Sequence, residues 1–236
     1  MSVSRAQPSG HVRFRSLLSP NLQFLDDADL LQVYAYPIGR TTPWIRANLV
    51  SSIDGNPAVN GHSRELSDAS DRRLFHLMRA LADVILIGAT SARNEPYRRH
   101  TKQVVVITRS GDLPTEFFTG IPPLVITTEG MDQAVRQRLE AKVEVIQLGK
   151  TEVDFEALLA LFVSRSWLKV LCEGGPTLLG SLHTSGLIDE VALTIAPMLV
   201  GSGRSLLQEG TETKRDFILA SLLQADGNLF TRYIAR

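Results

Sequence analysis

The chain has 236 residues, of which 44% are hydrophobic and 21% charged, and its 25 basic side chains balance 25 acidic ones. This composition suits a soluble protein with a sizeable core, and the neutral balance gives no reason to expect nucleic acid or a membrane as a partner. A single cysteine excludes a disulfide framework, and the five scattered histidines have no metal-ligand spacing, so no metal is expected. We expect a reducing, cytoplasmic environment.

Strand and helix patterns alternate along most of the chain. Residues 1–40 are predicted to form an N-terminal extension with a short helical stretch and a disordered first dozen residues, and residues 41–236 to form the main domain. Amphipathic helices are predicted over 70–82 and 155–164. Short apolar runs, typical of buried parallel strands, occupy 45–53, 84–87, 104–108, 124–127, 143–146, 168–172 and 191–195.

This order of elements predicts the class of fold. Alternating strands and helices favour an α/β domain with a mainly parallel central sheet and helices on both faces. The tail over 216–233 is predicted to be a further strand that pairs antiparallel with the 191–195 strand and forms an antiparallel C-terminal edge. No Gly-x-Gly-x-x-Gly follows a first strand, so a standard Rossmann dinucleotide fold is not supported.

The most informative motif is the turn that begins at Glu173. A buried strand ends at this carboxylate, Gly174 and Gly175 follow, and Thr177 lies near the start of the next predicted helix. Ligands of open α/β sheets bind at the carboxyl ends of the strands, and helix N-termini attract phosphate. The motif therefore indicates either a ligand site or an ordinary turn with a solvated glutamate.

Three other strand ends carry comparable signals, each with a plain structural alternative. Asp54 before Gly55 either orders a tight turn or faces a ligand. The loop from Gly88 through Ser91 to Glu95 suits a pyrophosphate as well as a surface position. The Thr108-Arg109-Ser110 turn either grips the 2′-phosphate of NADPH or is solvated.

One cation on the 70–82 helix is a further candidate. Arg79 lies off the apolar stripe of Leu74, Leu77 and Leu81. An arginine in this position is either a solvated or ion-paired surface group or, if it faces a cleft, a fork-shaped ligand for phosphate.

Taken in order, these segments resemble the C-terminal reductase domain of the riboflavin-biosynthesis deaminase–reductases. The resemblance covers roughly residues 43–236 and rests on Ser52-Ile-Asp-Gly55, His76-Leu-Met-Arg79, Asp83-Val-Ile-Leu-Ile-Gly88, Arg93-Asn-Glu95-Pro96, Glu173-Gly-Gly-Pro-Thr177, Gly186-Leu-Ile-Asp189-Glu190, Ile195-Ala-Pro197 and Val200-Gly-Ser-Gly203. It implies a dihydrofolate-reductase-like fold, a homodimer, and NADPH-dependent reduction of the ribosyl group of a phosphoribosylamino-pyrimidine to a ribityl group. The zinc motif of the deaminase domain is absent.

The resemblance also implies roles for individual residues. Substrate phosphate and ring would be held by Ser63, Ser67 and Arg79. Glu95 would lie beside the substrate, and Glu173 near the reacting ribose. NADPH would lie along Gly88, Ser91, Thr108, Arg109, Ser110, Gly174 and Gly175.

Several positions depart from the family pattern. Asn48 replaces a lysine, Glu95 replaces an aspartate, and Ser67 and Ser91 replace threonines. A carboxylate that is longer by one methylene moves its oxygens by about an ångström, which is enough to affect catalysis. The departures fall mainly on the substrate side.

The resulting hypothesis is an NADPH-dependent 5-amino-6-(5-phosphoribosylamino)uracil reductase without a deaminase domain. Its nicotinamide would face a pocket lined by Asn48, Asp54, Glu95 and Glu173, with Glu95 transferring the proton and Glu173 orienting the substrate. Reduction of dihydrofolate or a pterin is the first alternative. A non-catalytic NADPH-binding protein is the second.

Overall fold

A mixed β-sheet forms the centre of the computed structural model, which describes residues 12–19, 23–94, 101–201, 205–207 and 213–236. Its strands are β1 (Phe14–Ser16), β2 (Phe24–Leu25), β3 (Trp44–Ser52), β4 (Val84–Gly88), β5 (Gln103–Ile107), β6 (Leu124–Thr127), β7 (Val145–Gln147), β8 (Lys169–Cys172), β9 (Glu190–Ala196), β10 (Phe217–Ala225) and β11 (Asn228–Ala235). The helices are α1 (Asp27–Val33), α2 (Ala69–Leu81), α3 (Ala89–Asn94), α4 (Gln133–Glu140), α5 (Phe155–Ser164) and α6 (Pro176–Thr184), with short 3-10 helices at Ser63–Glu65 and Thr115–Phe118.

The strand order places the carboxyl ends of three strands side by side. The sheet runs β2-β1-β10-β11-β9-β3-β8-β4-β5-β6-β7. The seven strands from β9 to β7 in this order are mutually parallel, and the four on the other side of β9 pair antiparallel. The predicted α/β class with an antiparallel C-terminal edge is confirmed. Because β8 lies between β3 and β4, the turn after β8 faces the ends of both neighbours.

Helices cover both faces of the sheet because the central strands are apolar on both sides. One cluster packs α5 and α6 on the sheet through Leu158, Phe162 and Leu182. On another part of the sheet, Leu74 and Met78 of α2 pack in a second cluster. No helix in the described ranges is long and apolar enough to cross a membrane.

Helix α2 matches its predicted pattern. Asp68 is the N-cap, its side chain accepts from the backbone N–H of Asp71, and the apolar stripe buries Leu74 and Met78. A carboxylate at the N-cap satisfies one of the free N–H groups of the first turn. The helix ends at Leu81, one residue before the predicted boundary at 82.

The segment predicted as an N-terminal extension adds two strands and a helix to the main body. β1 pairs with β10, and β2 pairs with β1. Phe14, Leu30 and Tyr34 are buried in one cluster with residues of α2. The first dozen residues, predicted to be disordered, lie outside the described ranges apart from Val12.

A buried ion network fastens this segment to the parallel sheet. Both Arg46 and Glu190 have fully buried side chains, and Arg46 Nε lies 2.8 Å from Glu190 Oε1. Arg232 Nε donates to the same oxygen at 2.6 Å, and Trp44 Nε1 donates to Oε2 at 2.9 Å. Arg46 also donates to the carbonyl of Tyr34 at 2.8 Å. One carboxylate therefore joins β3, β9, β11 and the segment after α1.

Candidate active site

A cavity of about 610 Å³ opens at the carboxyl edge of the parallel strands. Its wall comes from β3, the loop that follows it, one face of α2, α3 and the turn between β8 and α6. The lining includes Asn48, Val50, Ser63, Arg64, Ser67, Asp71, Arg72, Phe75, His76, Arg79, Ser91, Asn94, Glu173, Gly174, Gly175 and Leu179. Of the residues predicted from the sequence, Asn48, Ser63, Ser67, Arg79, Ser91, Glu173, Gly174 and Gly175 thus meet in one cavity.

Glu173 and Arg79 form a two-pronged ion pair within this cavity. Arg79 Nε donates to Glu173 Oε1 and Arg79 Nη2 to Oε2, both at 2.6 Å. The Glu173 side chain is only 4% exposed, and the Arg79 guanidinium lies 4.1 Å from the centroid of the Phe75 ring. The Arg79 side chain thus faces the cleft, as a phosphate ligand would have to. Two of its guanidinium N–H groups already bind the Glu173 carboxylate. Charge in this part of the cavity is balanced.

The glycine turn leaves space beside the backbone. Gly174 has φ of +80°, which only glycine adopts readily, and its carbonyl accepts from Gly88 N at 2.8 Å. A Cβ on Gly175 would lie 3.3 Å from Ser91 Oγ, so a side chain there would crowd the wall. Gly175 is the N-cap of α6 and provides no side chain to cap the first turn. The turn therefore fits an anionic group such as a cofactor pyrophosphate.

Asp54 is a turn residue outside the cavity lining. Its carboxylate accepts from Ser52 Oγ at 2.5 Å, Asn56 Nδ2 at 3.1 Å, Val200 N at 3.1 Å and Gly201 N at 2.8 Å. These donors, led by the Ser52 hydroxyl, hold the pKa of Asp54 well below its usual range. This geometry matches the structural interpretation of Asp54, in which it orders the turn.

The remaining predicted cofactor residues are not part of the cavity lining. Thr108 is buried and its Oγ1 accepts from Gly111 N at 3.0 Å, while Arg109 and Ser110 are exposed at the end of β5. Thr177 is exposed on the first turn of α6. Their roles stay predictions. Glu95, predicted to transfer the proton, lies outside the described residues.

Several charged cavity residues were missed by the sequence analysis, and Asp71, Arg64 and Arg72 are among them. Asp71 lines the cavity from α2, and the nearby hydroxyls of Ser67 and Thr194 favour its charged form. Burial raises the pKa of Asp71 and outweighs the effect of these hydroxyls. Asp71, Phe75 and Arg79 follow one another at intervals of four along the helix. This spacing was the available signal, since residues i, i+4 and i+8 share a helix face.

In the part of the chain that the structure describes, no three His, Cys, Asp or Glu side chains are grouped so as to hold a metal ion.

Fold and cavity together define an α/β protein with a cavity at the carboxyl edge of a parallel sheet, beside a glycine turn and a helix N-terminus. A sequence profile of the RibD C-terminal domain matches residues 43–229, and the chain belongs to that family. The expected family is confirmed, and membership places the chain among the oxidoreductases.

Two groups of relatives differ in length. The 2,5-diamino-6-ribosylamino-4(3H)-pyrimidinone 5′-phosphate reductase of Methanothermobacter thermautotrophicus is 29% identical over 196 residues, which cover 76% of this chain and 91% of that protein. The riboflavin biosynthesis protein RibD of Chlamydia pneumoniae is 27% identical over 189 residues, 72% of this chain. The match spans only 50% of that longer protein.

Solved structures agree on the fold. A pyrimidine reductase-like protein from Corynebacterium diphtheriae has a TM-score of 0.74 at 24% identity, over 88% of this chain and 98% of that one. A riboflavin biosynthesis reductase from Saccharomyces cerevisiae has a TM-score of 0.70 at 18% identity, over 89% of this chain and 100% of that one.

Proposed function

We propose that this protein reduces the ribosyl group of a ribosylamino-pyrimidine 5′-phosphate to a ribityl group, with NADPH as the reductant. The observation that carries the proposal is one cavity in which the Glu173–Arg79 pair adjoins the side-chain-free Gly174–Gly175 turn. The archaeal relative is named for reduction of such a substrate, and the chain covers 91% of its length. Activity in the riboflavin pathway follows as part of the same proposal.

The proposed reaction has three chemical steps. The C1′–O4′ bond of the ribosylamine opens to an imine, hydride adds to C1′, and a proton reaches the nitrogen. NADPH, when bound, supplies the hydride and leaves as NADP⁺. Backbone N–H groups at the start of α6 and the wall beside Ser91 would hold its phosphates. The protein would then position C1′ and control the proton.

Charge distribution suggests where the substrate lies. Arg64 lines the cavity and is exposed, so it supplies a guanidinium group for the 5′-phosphate at the mouth. Glu173, held by Arg79, would orient the ribose near the glycine turn. Glu95 remains our candidate for proton transfer. A Glu95→Gln variant whose single-turnover rate stays within about twofold of the original would remove it from that role.

The test is a direct assay. The purified protein is mixed with NADPH and either 5-amino-6-(5-phosphoribosylamino)uracil or its 2,5-diamino-pyrimidinone counterpart, and absorbance at the NADPH band is followed. Oxidation matched by a product heavier by two hydrogen atoms supports the proposal. Tight NADPH binding without turnover of either compound contradicts it and favours a non-catalytic binding protein.

A further inference from the structure

Asp71 is a cavity carboxylate to which the proposed reaction gives no role. The neutral hydroxyls of Ser67 and Thr194 lie near it, and so do the charged groups of Asp68 and Arg72. Thr194 is 3% exposed on β9, and Asp71 itself is half-buried in the cavity wall. A carboxylate placed there accepts hydrogen bonds and seldom remains unused.

Asp71 lies some way along helix α2 from the part of the cavity where hydride transfer is expected. Asp71 and Arg79 are eight residues apart on one helix face, about 12 Å along the axis. Arg79 marks the Glu173 and Gly174 turn, where the hydride acceptor is expected. A ligand with its reacting carbon at that turn would therefore bring its far edge toward Asp71.

The far edge of the proposed substrate carries its distinguishing group. In a 6-ribosylamino pyrimidine, N3 and C2 lie on the side of the ring away from the ribosyl nitrogen. A 2-amino-4-oxopyrimidine presents two donors there, N3–H and the 2-amino group. A uracil presents N3–H and the C2 carbonyl oxygen, an acceptor that a carboxylate repels. A carboxylate therefore matches the first edge with two parallel hydrogen bonds and opposes the second.

We propose that Asp71 is the specificity-determining residue that selects a 2-amino-4-oxopyrimidine ring over a uracil ring. The inference rests on the proposed function for the position of the ribosyl group. It revises the expectation that Ser67 holds phosphate, because a phosphate at Ser67 would lie against the Asp71 carboxylate. Ser67 instead orients Asp71, and the substrate is of the diaminopyrimidinone type rather than the aminouracil first expected.

The test compares kcat/KM for the two ring types. Wild type, Asp71→Asn and the exposed, remote control Asp216→Asn are assayed with the diaminopyrimidinone and the aminouracil phosphates at saturating NADPH. We expect wild type to prefer the diamino ring and Asp71→Asn to lower that preference by about 10- to 100-fold, since a charged hydrogen bond is lost. The control should keep the original ratio. Asp71→Ser replaces the amide variant if that variant does not fold.

An equal loss on both rings, or no loss on either, overturns the proposal. Because a pterin carries the same ring edge, dihydrofolate is assayed in parallel. If dihydrofolate is reduced faster than either pyrimidine phosphate and Asp71→Asn lowers that rate as expected, the role of Asp71 in ring selection is upheld. The proposed substrate is then replaced by a pterin. If no compound is reduced, calorimetric binding of pterin and of uracil decides. If wild type binds pterin more tightly than uracil and Asp71→Asn abolishes that preference, the Asp71 subsite is upheld without the reductase function. If wild type binds the two rings equally, both the subsite and the proposed function are overturned.

Discussion

Two of the three side chains that the family resemblance assigned to the substrate phosphate and ring lie against carboxylates in this protein. Arg79 binds Glu173 through two hydrogen bonds of 2.6 Å. The Ser67 hydroxyl lies near Asp71, which also lines the cavity. The polar groups in this part of the cavity thus include acceptors as well as donors. Such a surface recognises a ring with both donors and acceptors better than it recognises an anion.

Removing the charge of Glu173 tests the role of its pair with Arg79. A glutamine in its place keeps the size but leaves the Arg79 guanidinium, 19% exposed, without its ionic partner. We expect Glu173→Gln to lower kcat/KM for NADPH-dependent reduction by about 100-fold, as happens when preorganised electrostatic contacts are lost. The exposed Glu152→Gln serves as the control. Equal activity of the two variants would exclude Glu173 from the reaction.

The Asp54 turn predicts a specific dependence of stability on pH. Its pKa lies below the ordinary value of about 3.9, so the carboxylate stabilises the fold at neutral pH. The stabilisation is lost as pH falls from that ordinary value through the lowered pKa. In thermal unfolding, Asp54→Asn should therefore lower Tm most near pH 7, with a difference that shrinks at about pH 3 and below. A difference that grows toward acid would contradict the assignment, and Asp216→Asn is the matched control.

Sequence patterns identified the glycine-turn side of the cavity but not Asp71 on the opposite wall. Glu173, Gly174 and Gly175 were predicted because a strand end followed by two glycines is a local signal. Asp71 was missed because an acidic residue in the first turn of a helix also has an ordinary explanation, its interaction with the helix dipole. Only the contact with Thr194, more than a hundred residues away, distinguishes the two cases.

Among the elements, the strands β3, β9 and β11 share one buried carboxylate. Glu190 accepts from Trp44, Arg46 and Arg232. Replacing it with glutamine leaves two arginines with no opposite charge, and we expect Glu190→Gln to lower the free energy of unfolding by about 3–5 kcal/mol. Urea denaturation measures the change against Glu152→Gln. A loss below about 1 kcal/mol would mean that the network adds nothing beyond packing.

Elements with a strong local pattern were predicted with their boundaries, and elements defined by distant partners were not. Helix α5 spans 155–164 as predicted, since its apolar spacing is visible in the chain. The strand predicted over 143–146 is β7 at Val145–Gln147, at the sheet edge, where little packing fixes its ends. Strands β1 and β2 were not predicted. They are three and two residues long, and only their pairing with β10 and with each other defines them.

At the scale of the whole molecule, we predict a homodimer. The family resemblance implies one, and β10 exposes neighbouring apolar side chains, Ile218 at 53% and Leu219 at 37%. Light scattering after size exclusion should give twice the mass of one chain. Leu219→Lys should shift the protein toward monomer, because a charged side chain resists desolvation. Val163→Lys, at an exposed apolar site on α5, should leave the dimer intact. A monomer at all concentrations contradicts the prediction.

The short strands at the edges of the sheet limit how copies of this protein can associate. The outermost strands, β2 and β7, have two and three residues, and the part of β10 beyond its pairing with β1 has a register shift between Leu219 and Ser221. Short edges and bulges give another chain little straight backbone to extend. The described strand edges therefore favour contacts between copies that are made by side chains. Self-association through a single self-complementary patch closes at a pair instead of growing into a filament.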